Sequence, residues 1–185
     1  MRTFIAIDLD APLKDNLKAL IGGLEPLASN VRWVRAEGMH LTLKFLGETS
    51  EEKAAAVGAA LQTISARTRR FALRLKGTGA FPPGKSSPRV IWAGVEAGPE
   101  LSALHKEVES AAVRLGFEPE SRDFRPHLTL GRVRFPGRME KLLREMDDLK
   151  GRDFGEMEVV RLTYFRSVLA PAGAEYTVLG EFALS

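Results

Sequence analysis

The tetrapeptide His-Leu-Thr-Leu occurs twice in this chain, at residues 40–43 and again at residues 127–130. The whole sequence has three histidines, so two of them share one local context. Successive side chains of a β-strand point to opposite faces, so the His and Thr of each copy share one face and the two Leu share the other. The repeat therefore predicts two equivalent strands, each anchored in a core by its leucines and each presenting an imidazole and a hydroxyl to a common cleft.

The composition is that of an ordinary globular protein, with 44% hydrophobic and 28% charged side chains among 185 residues. The absence of cysteine excludes disulfides, thiolate metal sites and cysteine nucleophiles. The net charge of +3 weakly favours an anionic ligand or a nucleic acid. The apolar run near the start breaks at Asp8 and Asp10, too early for a signal peptide or a membrane span. We therefore expect a cytoplasmic protein that does not enter a membrane.

Hydrophobic periodicity predicts an α+β fold with about eight strands and four helices. The predicted helices cover residues 11–24, 51–67, 101–115 and 139–149. The predicted strands cover residues 3–9, 31–34, 40–46, 71–79, 89–95, 125–135, 157–169 and 175–182, the last two joined through Pro171-Ala172-Gly173. Each half of the chain holds one motif strand and a long helix, and no flexible linker separates the halves. We expect one domain over residues 1–185, with two pseudo-symmetric lobes of mostly antiparallel sheet, helices packed outside and a central cleft.

The two motifs supply the groups that phosphodiester cleavage requires. Histidine acts as base or acid near neutral pH, and this cleavage needs one group to deprotonate the attacking oxygen and another to protonate the leaving oxygen. His40 and His127 are the candidates for these roles. Thr42 and Thr129 are placed to donate hydrogen bonds to the non-bridging phosphate oxygens. The spacing leaves open which histidine is the acid and which is the base.

A metal site is the main alternative use of the histidine pair. Zinc takes three or four protein ligands. Without cysteine, the further ligands would have to come from His105 or from carboxylates, and neither motif contains a carboxylate. The metal-free interpretation is therefore favoured. His105 lies in a predicted helix without a matching context, which is typical of a surface or packing histidine.

Basic and aromatic side chains near the motifs are further candidates. Lys44 shares the face of His40 if the first motif strand stays regular, whereas Arg132 reaches the face of His127 only if the second strand bends or bulges after Gly131. Otherwise Arg132 is a surface residue. Phe81 lies in a Pro- and Gly-rich segment. Its ring either stacks on an RNA base or packs on the core beneath this loop.

The paired H-x-T-x motifs resemble the two-histidine (2H) phosphoesterase superfamily. Similarity to its bacterial and archaeal RNA 2′,3′-cyclic phosphodiesterases, historically named 2′-5′ RNA ligases, extends to MRTFIAI at residues 1–7, HLTLKFLG at 40–47, Phe81-Pro82, PRVIWAGV at 88–95 and RPHLTLGR at 125–132. This resemblance implies an enzyme without metal or other cofactor that hydrolyses a terminal RNA 2′,3′-cyclic phosphate to a 2′-phosphate.

The resemblance also implies individual roles. His40 would be the proton donor to the leaving 3′ oxygen and His127 the proton acceptor that activates water. Thr42 and Thr129 would bind the phosphate, and Arg132 matches an arginine that follows the second motif in relatives. The implied partner is an RNA with a 2′,3′-cyclic phosphate terminus, with no obligate protein partner and a monomeric enzyme. Two alternatives stay open, namely 2′-5′ RNA ligase activity and a non-catalytic RNA-end-binding protein, although a binder has no need of two intact imidazoles.

Overall fold

Two antiparallel sheets form the framework of the protein, whose computed structural model describes residues 1–35, 38–84, 88–170 and 173–185. The strands in these residues are β1 (Arg2–Asp8), β2 (Val31–Trp33), β3 (His40–Glu48), β4 (Phe71–Phe81), β5 (Val90–Ala97), β6 (His127–Val133), β7 (Asp153–Val159), β8 (Arg161–Ala170) and β9 (Gly173–Ala183). The α-helices are α1 (Ala11–Leu24), α2 (Glu51–Arg67), α3 (Pro99–Arg114) and α4 (Glu140–Asp148).

Each sheet carries one motif strand. The first sheet has the strand order β3-β1-β8-β9, and the second has the order β2-β6-β5-β4-β7. Every pairing is antiparallel. The predicted α+β class with mostly antiparallel sheet is confirmed. The lobes are not the two halves of the chain, however, because the last two strands return to the first sheet and β2 joins the second.

The helices pack on the sheets from outside, and α1 and α2 start at the residues that the sequence predicts, whereas α3 starts two residues earlier and α4 one residue later than predicted. Helices α2 and α3 lie against the first sheet, and α1 and α4 lie against the second. Helix α1 begins after Asp10, whose carboxylate accepts the N–H of Leu13, and helix α2 begins after Ser50, whose hydroxyl accepts the N–H of Lys53. These side chains satisfy backbone N–H groups that a helix N-terminus leaves without partners.

The leucines of both motifs are buried, as the repeat predicts. Leu41, Leu43, Leu128 and Leu130 are at most 4% exposed. All four belong to a single hydrophobic cluster that contains residues of both sheets and of α1 to α4. Complete burial of a leucine side chain is worth roughly 1.5–3 kcal/mol. This burial fixes the orientation of each motif strand, so that the imidazole and the hydroxyl face away from the core.

The predicted single strand over residues 157–169 is wrong. The structure has two strands there, β7 in the second sheet and β8 in the first, separated at Val160. Buried Val159 and Leu162 are three positions apart, so the two-residue alternation slips where the chain passes between sheets. The predicted turn at residues 47–50 is shorter than expected, because residues 47 and 48 still belong to β3. The predicted connection through Pro171 and Ala172 lies outside the described residues.

None of the helices in the described residues combines the length and the hydropathy needed to span a lipid bilayer.

Candidate active site

A register shift in β3 determines where the first motif points its side chains. His40 is paired with Asp8 and Thr42 with Ala6, but Lys44 is paired with Ile5, which leaves Leu43 as an extra residue. Such a β-bulge reverses the alternation of the residues that follow it. The first motif strand does not stay regular, so Lys44 does not share the face of His40 and Thr42.

Lys44 instead lies on the helix side of the first sheet, where it is 5% exposed. Its ammonium group donates to the Glu109 carboxylate of α3 at 2.8 Å and to the Glu118 carbonyl oxygen at 2.7 Å. A buried ammonium group needs such partners because its desolvation is costly. Lys44 thus fastens the first motif strand to α3 and to the segment that leads toward the second motif.

The second motif strand has a register shift at the equivalent position. Thr129 is paired with Trp92 and Gly131 with Ile91, so Leu130 is the extra residue. The alternation then returns Arg132 to the face of His127 and Thr129. The sequence left open whether Arg132 faces the cleft or the surface. The structure has it on the face of His127, because the strand bulges at Leu130, one residue earlier than expected.

Gly131 allows this bulge to sit beside a neighbouring strand. A Cβ atom at Gly131 would lie 2.6 Å from Val31 Cγ1 of β2. The matching positions of the two motif strands are therefore Lys44 and Gly131, followed by Phe45 and Arg132. The cleft face of the first sheet carries an aromatic ring where that of the second sheet carries a guanidinium group.

His127 is held in one tautomer by a backbone contact. Its Nδ1 lies 2.6 Å from the carbonyl oxygen of Arg125. A carbonyl oxygen only accepts hydrogen bonds, so Nδ1 is the donor, and Nε2 of the neutral ring carries the lone pair. The ring of Phe81 meets the imidazole edge-on at 5.1 Å between centroids. His127 is therefore oriented to accept a proton through Nε2.

A cavity of about 750 Å³ opens beside His127. Its walls include His127, Thr129, Arg132 and Phe81. Phe81 also contacts the ring of Trp92 at 5.2 Å, so it forms part of the cavity wall rather than a plug over the core. The structure thus brings four of the sequence-predicted site residues to one cavity, whereas His40 and Thr42 lie on the first sheet and do not line it.

His40 sits among aromatic rings. Its centroid lies 4.7 Å from that of Phe4, 5.6 Å from Phe165 and 5.1 Å from Tyr176, the last edge-on. Burial in these surroundings lowers the pKa of His40 to about 4, although the nearby carboxylate of Asp8 opposes the shift. The cationic form of the ring is costly there because little water reaches it. His40 is therefore neutral near neutral pH in the protein without ligand.

Tyr176 connects the two motif faces. It contacts His40 edge-on from β9, and the guanidinium charge of Arg132 on β6 acts on its hydroxyl. Burial raises the pKa of Tyr176, and Arg132 partly offsets that rise. Strands β3 and β6 also lie against each other directly. No motif in the sequence singles out Tyr176, because its place beside His40 depends on how β9 joins the first sheet.

His105 lies away from the motif faces. Its ring stacks on Phe124 with 3.8 Å between centroids, and burial is the main cause of its lowered pKa. The packing interpretation of this histidine is confirmed. In the part of the chain that the structure describes, no three imidazole or carboxylate side chains converge as a potential metal site.

Comparison with known proteins identifies the family. The model of LigT-like phosphoesterases matches residues 7–92 and 94–176. The chain belongs to this family. The RNA 2′,3′-cyclic phosphodiesterase of Methanothermobacter thermautotrophicus is 35% identical over 184 residues, covering 100% of this chain and 99% of the relative.

Solved structures agree with this membership. A crystal structure of a Thermus thermophilus protein matches with a TM-score of 0.84 at 30% identity, covering 100% of this chain and 98% of that one. The crystal structure of Escherichia coli LigT complexed with 3′-AMP matches with a TM-score of 0.81 at 30% identity and the same coverage. The resemblance to two-histidine phosphoesterases is thus confirmed, and the two-sheet architecture is that of LigT-like phosphoesterases.

Proposed function

We propose that this protein hydrolyses RNA 2′,3′-cyclic phosphodiester ends to 2′-phosphomonoesters by metal-independent acid–base catalysis with two histidines. The observation that carries this proposal is the pair of bulged motif strands, each of which directs one imidazole and one hydroxyl away from the core. Membership of the LigT-like phosphoesterases and the names of the curated relatives support the same reaction.

In the proposed mechanism, His127 is the general base. Its Nδ1–H donates to the Arg125 carbonyl, so Nε2 is free to take a proton from water. The water oxygen forms a bond to phosphorus while the bond from phosphorus to the 3′ oxygen breaks. Thr42 and Thr129 donate to the non-bridging oxygens, and Arg132 neutralises charge that develops on them. The 2′ oxygen keeps the phosphate.

His40 is the proposed general acid that protonates the departing 3′ oxygen. The lowered pKa of His40 makes its cation a strong donor, but leaves little of that cation at neutral pH. A bound phosphate anion favours the cationic ring, so the substrate itself would raise the pKa of His40. Proton uptake by His40 on substrate binding is therefore part of the mechanism.

We further propose that the enzyme is a monomer that acts on RNA in the cytoplasm without an obligate protein partner. One chain supplies both histidines and both threonines, so catalysis requires no second copy. Light scattering on the purified protein would test the monomer, since a dimer at working concentration contradicts it.

The decisive experiment uses RNA that ends in a 2′,3′-cyclic phosphate, with and without a second RNA that carries a 5′-hydroxyl. We expect a terminal 2′-phosphate in both reactions. A 2′-5′ linked product that predominates when the second RNA is present would assign the protein as a ligase instead. Binding without any product would favour the non-catalytic alternative.

Thr42→Ala and Thr129→Ala should each lower the rate of hydrolysis less than loss of either histidine does, because each removes one phosphate contact among several.

The assignment of acid and base can be tested with a substrate whose 3′ oxygen is replaced by sulfur. A thiolate leaves without protonation, so it has little need of a general acid. His40→Ala should lose much less rate on the sulfur substrate than on the oxygen substrate, whereas His127→Ala should lose the same on both. The opposite pattern would exchange the two roles.

A further inference from the structure

The cavity beside His127 carries more positive charge than one phosphate requires. Besides Arg132, its walls include Arg89, Arg122 and Arg125. Among the described residues of the wall, Asp123 is the one carboxylate. A cyclic phosphodiester has a single negative charge, which Thr42, Thr129 and Arg132 bind in the proposed mechanism. Three further guanidinium groups therefore remain in the cavity without a role in the proposed reaction.

These cavity arginines are not compensated by protein carboxylates. Within the described residues, none of the four forms an ion pair. Some arginines elsewhere on the surface do, such as Arg74, which lies 2.8 Å from Glu156, and Arg161, which lies 3.2 Å from Glu181. What distinguishes the cavity is that four arginines, unpaired in the described part of the chain, share one concave site. Unpaired cations gathered in a concave site raise the local concentration of anions. The cluster is thus suited to an anionic ligand rather than to the stability of the fold.

The segment that carries Arg122 and Arg125 contacts helix α3, which packs on the first sheet. The Glu109 carboxylate accepts the backbone N–H of Glu120 at 2.8 Å, and the ring of His105 stacks on Phe124. The N–H of Arg122 in turn donates to the Glu120 carboxylate at 3.1 Å. The backbone beneath Arg122 and Arg125 is therefore held by α3.

The two lobes also differ in chemistry across the cleft. The first sheet presents aromatic rings around His40, whereas the cavity beside His127 is lined by the four arginines. We propose that the cavity formed by Arg89, Arg122 and Arg125 binds the phosphodiesters of the RNA strand upstream of the cyclic end. The enzyme then prefers an RNA strand to a cyclic mononucleotide. This inference rests on the proposed function, and it adds a preference for substrates longer than one nucleotide.

The volume of the cavity agrees with such a ligand. At about 750 Å³ it falls within the range of pockets that hold whole small molecules, and it exceeds the space needed by a phosphate group. A guanidinium group suits phosphate because its planar fork donates to two oxygens at once. The arginines line the same cavity as His127 and Thr129, so a strand whose end reaches His127 would lie close to them.

The test compares a cyclic mononucleotide with an oligonucleotide that ends in the same cyclic nucleotide. For the natural protein, we expect a higher kcat/KM on the oligonucleotide, and a preference that weakens as salt is added. Arg122→Ala and Arg89→Ala should each lower the ratio of the two kcat/KM values about tenfold, the usual effect of losing one charge-assisted hydrogen bond. Arg114→Ala, which removes an exposed arginine of α3, is the matched control and should leave the ratio unchanged.

A binding measurement separates this inference from the proposed function. The affinity for a labelled oligonucleotide that ends in a 2′-phosphate should fall with salt, and the slope of log Kd against log salt should drop by about 0.7 for each arginine removed. Equal losses on both substrates, or an unchanged salt slope in Arg122→Ala, would overturn the upstream site even if hydrolysis is observed. Absence of hydrolysis of either substrate would instead contradict the proposed function.

Discussion

Replacement of His40 by phenylalanine should make the stability of the protein less sensitive to acid. The pKa of His40 is about 4 in the folded protein, below the ordinary value of 6.5. The unfolded chain therefore takes up this proton more readily than the folded one. The stabilisation from the neutral ring is fully present above about pH 6.5 and is lost as the pH falls toward about 4. A phenylalanine at position 40 keeps a ring among the aromatic neighbours but has no proton to gain.

The size of the effect follows from the two pKa values. Linkage gives a loss of up to about 2 kcal/mol of unfolding free energy between about pH 7 and about pH 5. Below about pH 4 the total approaches roughly 3 kcal/mol, because each pKa unit corresponds to about 1.4 kcal/mol. The other titrating groups are the same in both proteins, so their contributions cancel when the natural protein and His40→Phe are compared at each pH.

Urea unfolding at the two pH values measures this difference. The natural protein should lose stability relative to His40→Phe as the pH falls, and NMR titration of the His40 ring should show its midpoint near 4. Inorganic phosphate should move that midpoint upward, because an anion beside the ring favours its charged form. A difference between the two proteins that is the same at both pH values, together with an NMR midpoint near 6.5, would refute the reasoning.

Three other outcomes are expected. Hydrolysis should survive EDTA, and loss of activity that added zinc or manganese restores would revive the metal alternative. His127→Ala should lower the rate by ~10²–10⁴-fold, whereas His105→Ala should have a far smaller effect; equal losses in folded variants would refute the choice of catalytic pair. Lys44→Met should lower the unfolding free energy by roughly 3 kcal/mol, because it leaves the Glu109 carboxylate without its buried partner; a variant as stable as the natural protein in urea would contradict this.

The duplicated motif predicts the orientation of both motif strands because this orientation depends only on residues that are neighbours in sequence. Alternation of leucine with histidine and threonine within four residues is enough to orient both strands, and the structure buries all four leucines. Helix starts are equally local, since a cap such as Asp10 or Ser50 acts within one turn. These features depend on neighbours in sequence, which a sequence displays directly.

The features that the sequence could not predict depend on partner strands. The bulge that turns Lys44 away from the cleft is defined by how β3 pairs with β1, and the bulge that turns Arg132 into the cleft is defined by how β6 pairs with β5. Neither partner lies next to the motif in sequence. Tyr176 is a similar case, because its contact with His40 comes from β9 at the other end of the chain.

The order of strands in the two sheets has a consequence for synthesis on the ribosome. All five strands of the second sheet, together with α1 and α4, precede Val160 in the chain. In the first sheet, residues 2–6 of β1 cannot pair with residues 163–167 of β8 until those later residues have been synthesised. At about 5–20 residues per second, that wait lasts roughly 10–30 s. The second sheet, with His127 and Arg132, can thus form on the nascent chain, while the aromatic surroundings of His40 close only when the last two strands emerge.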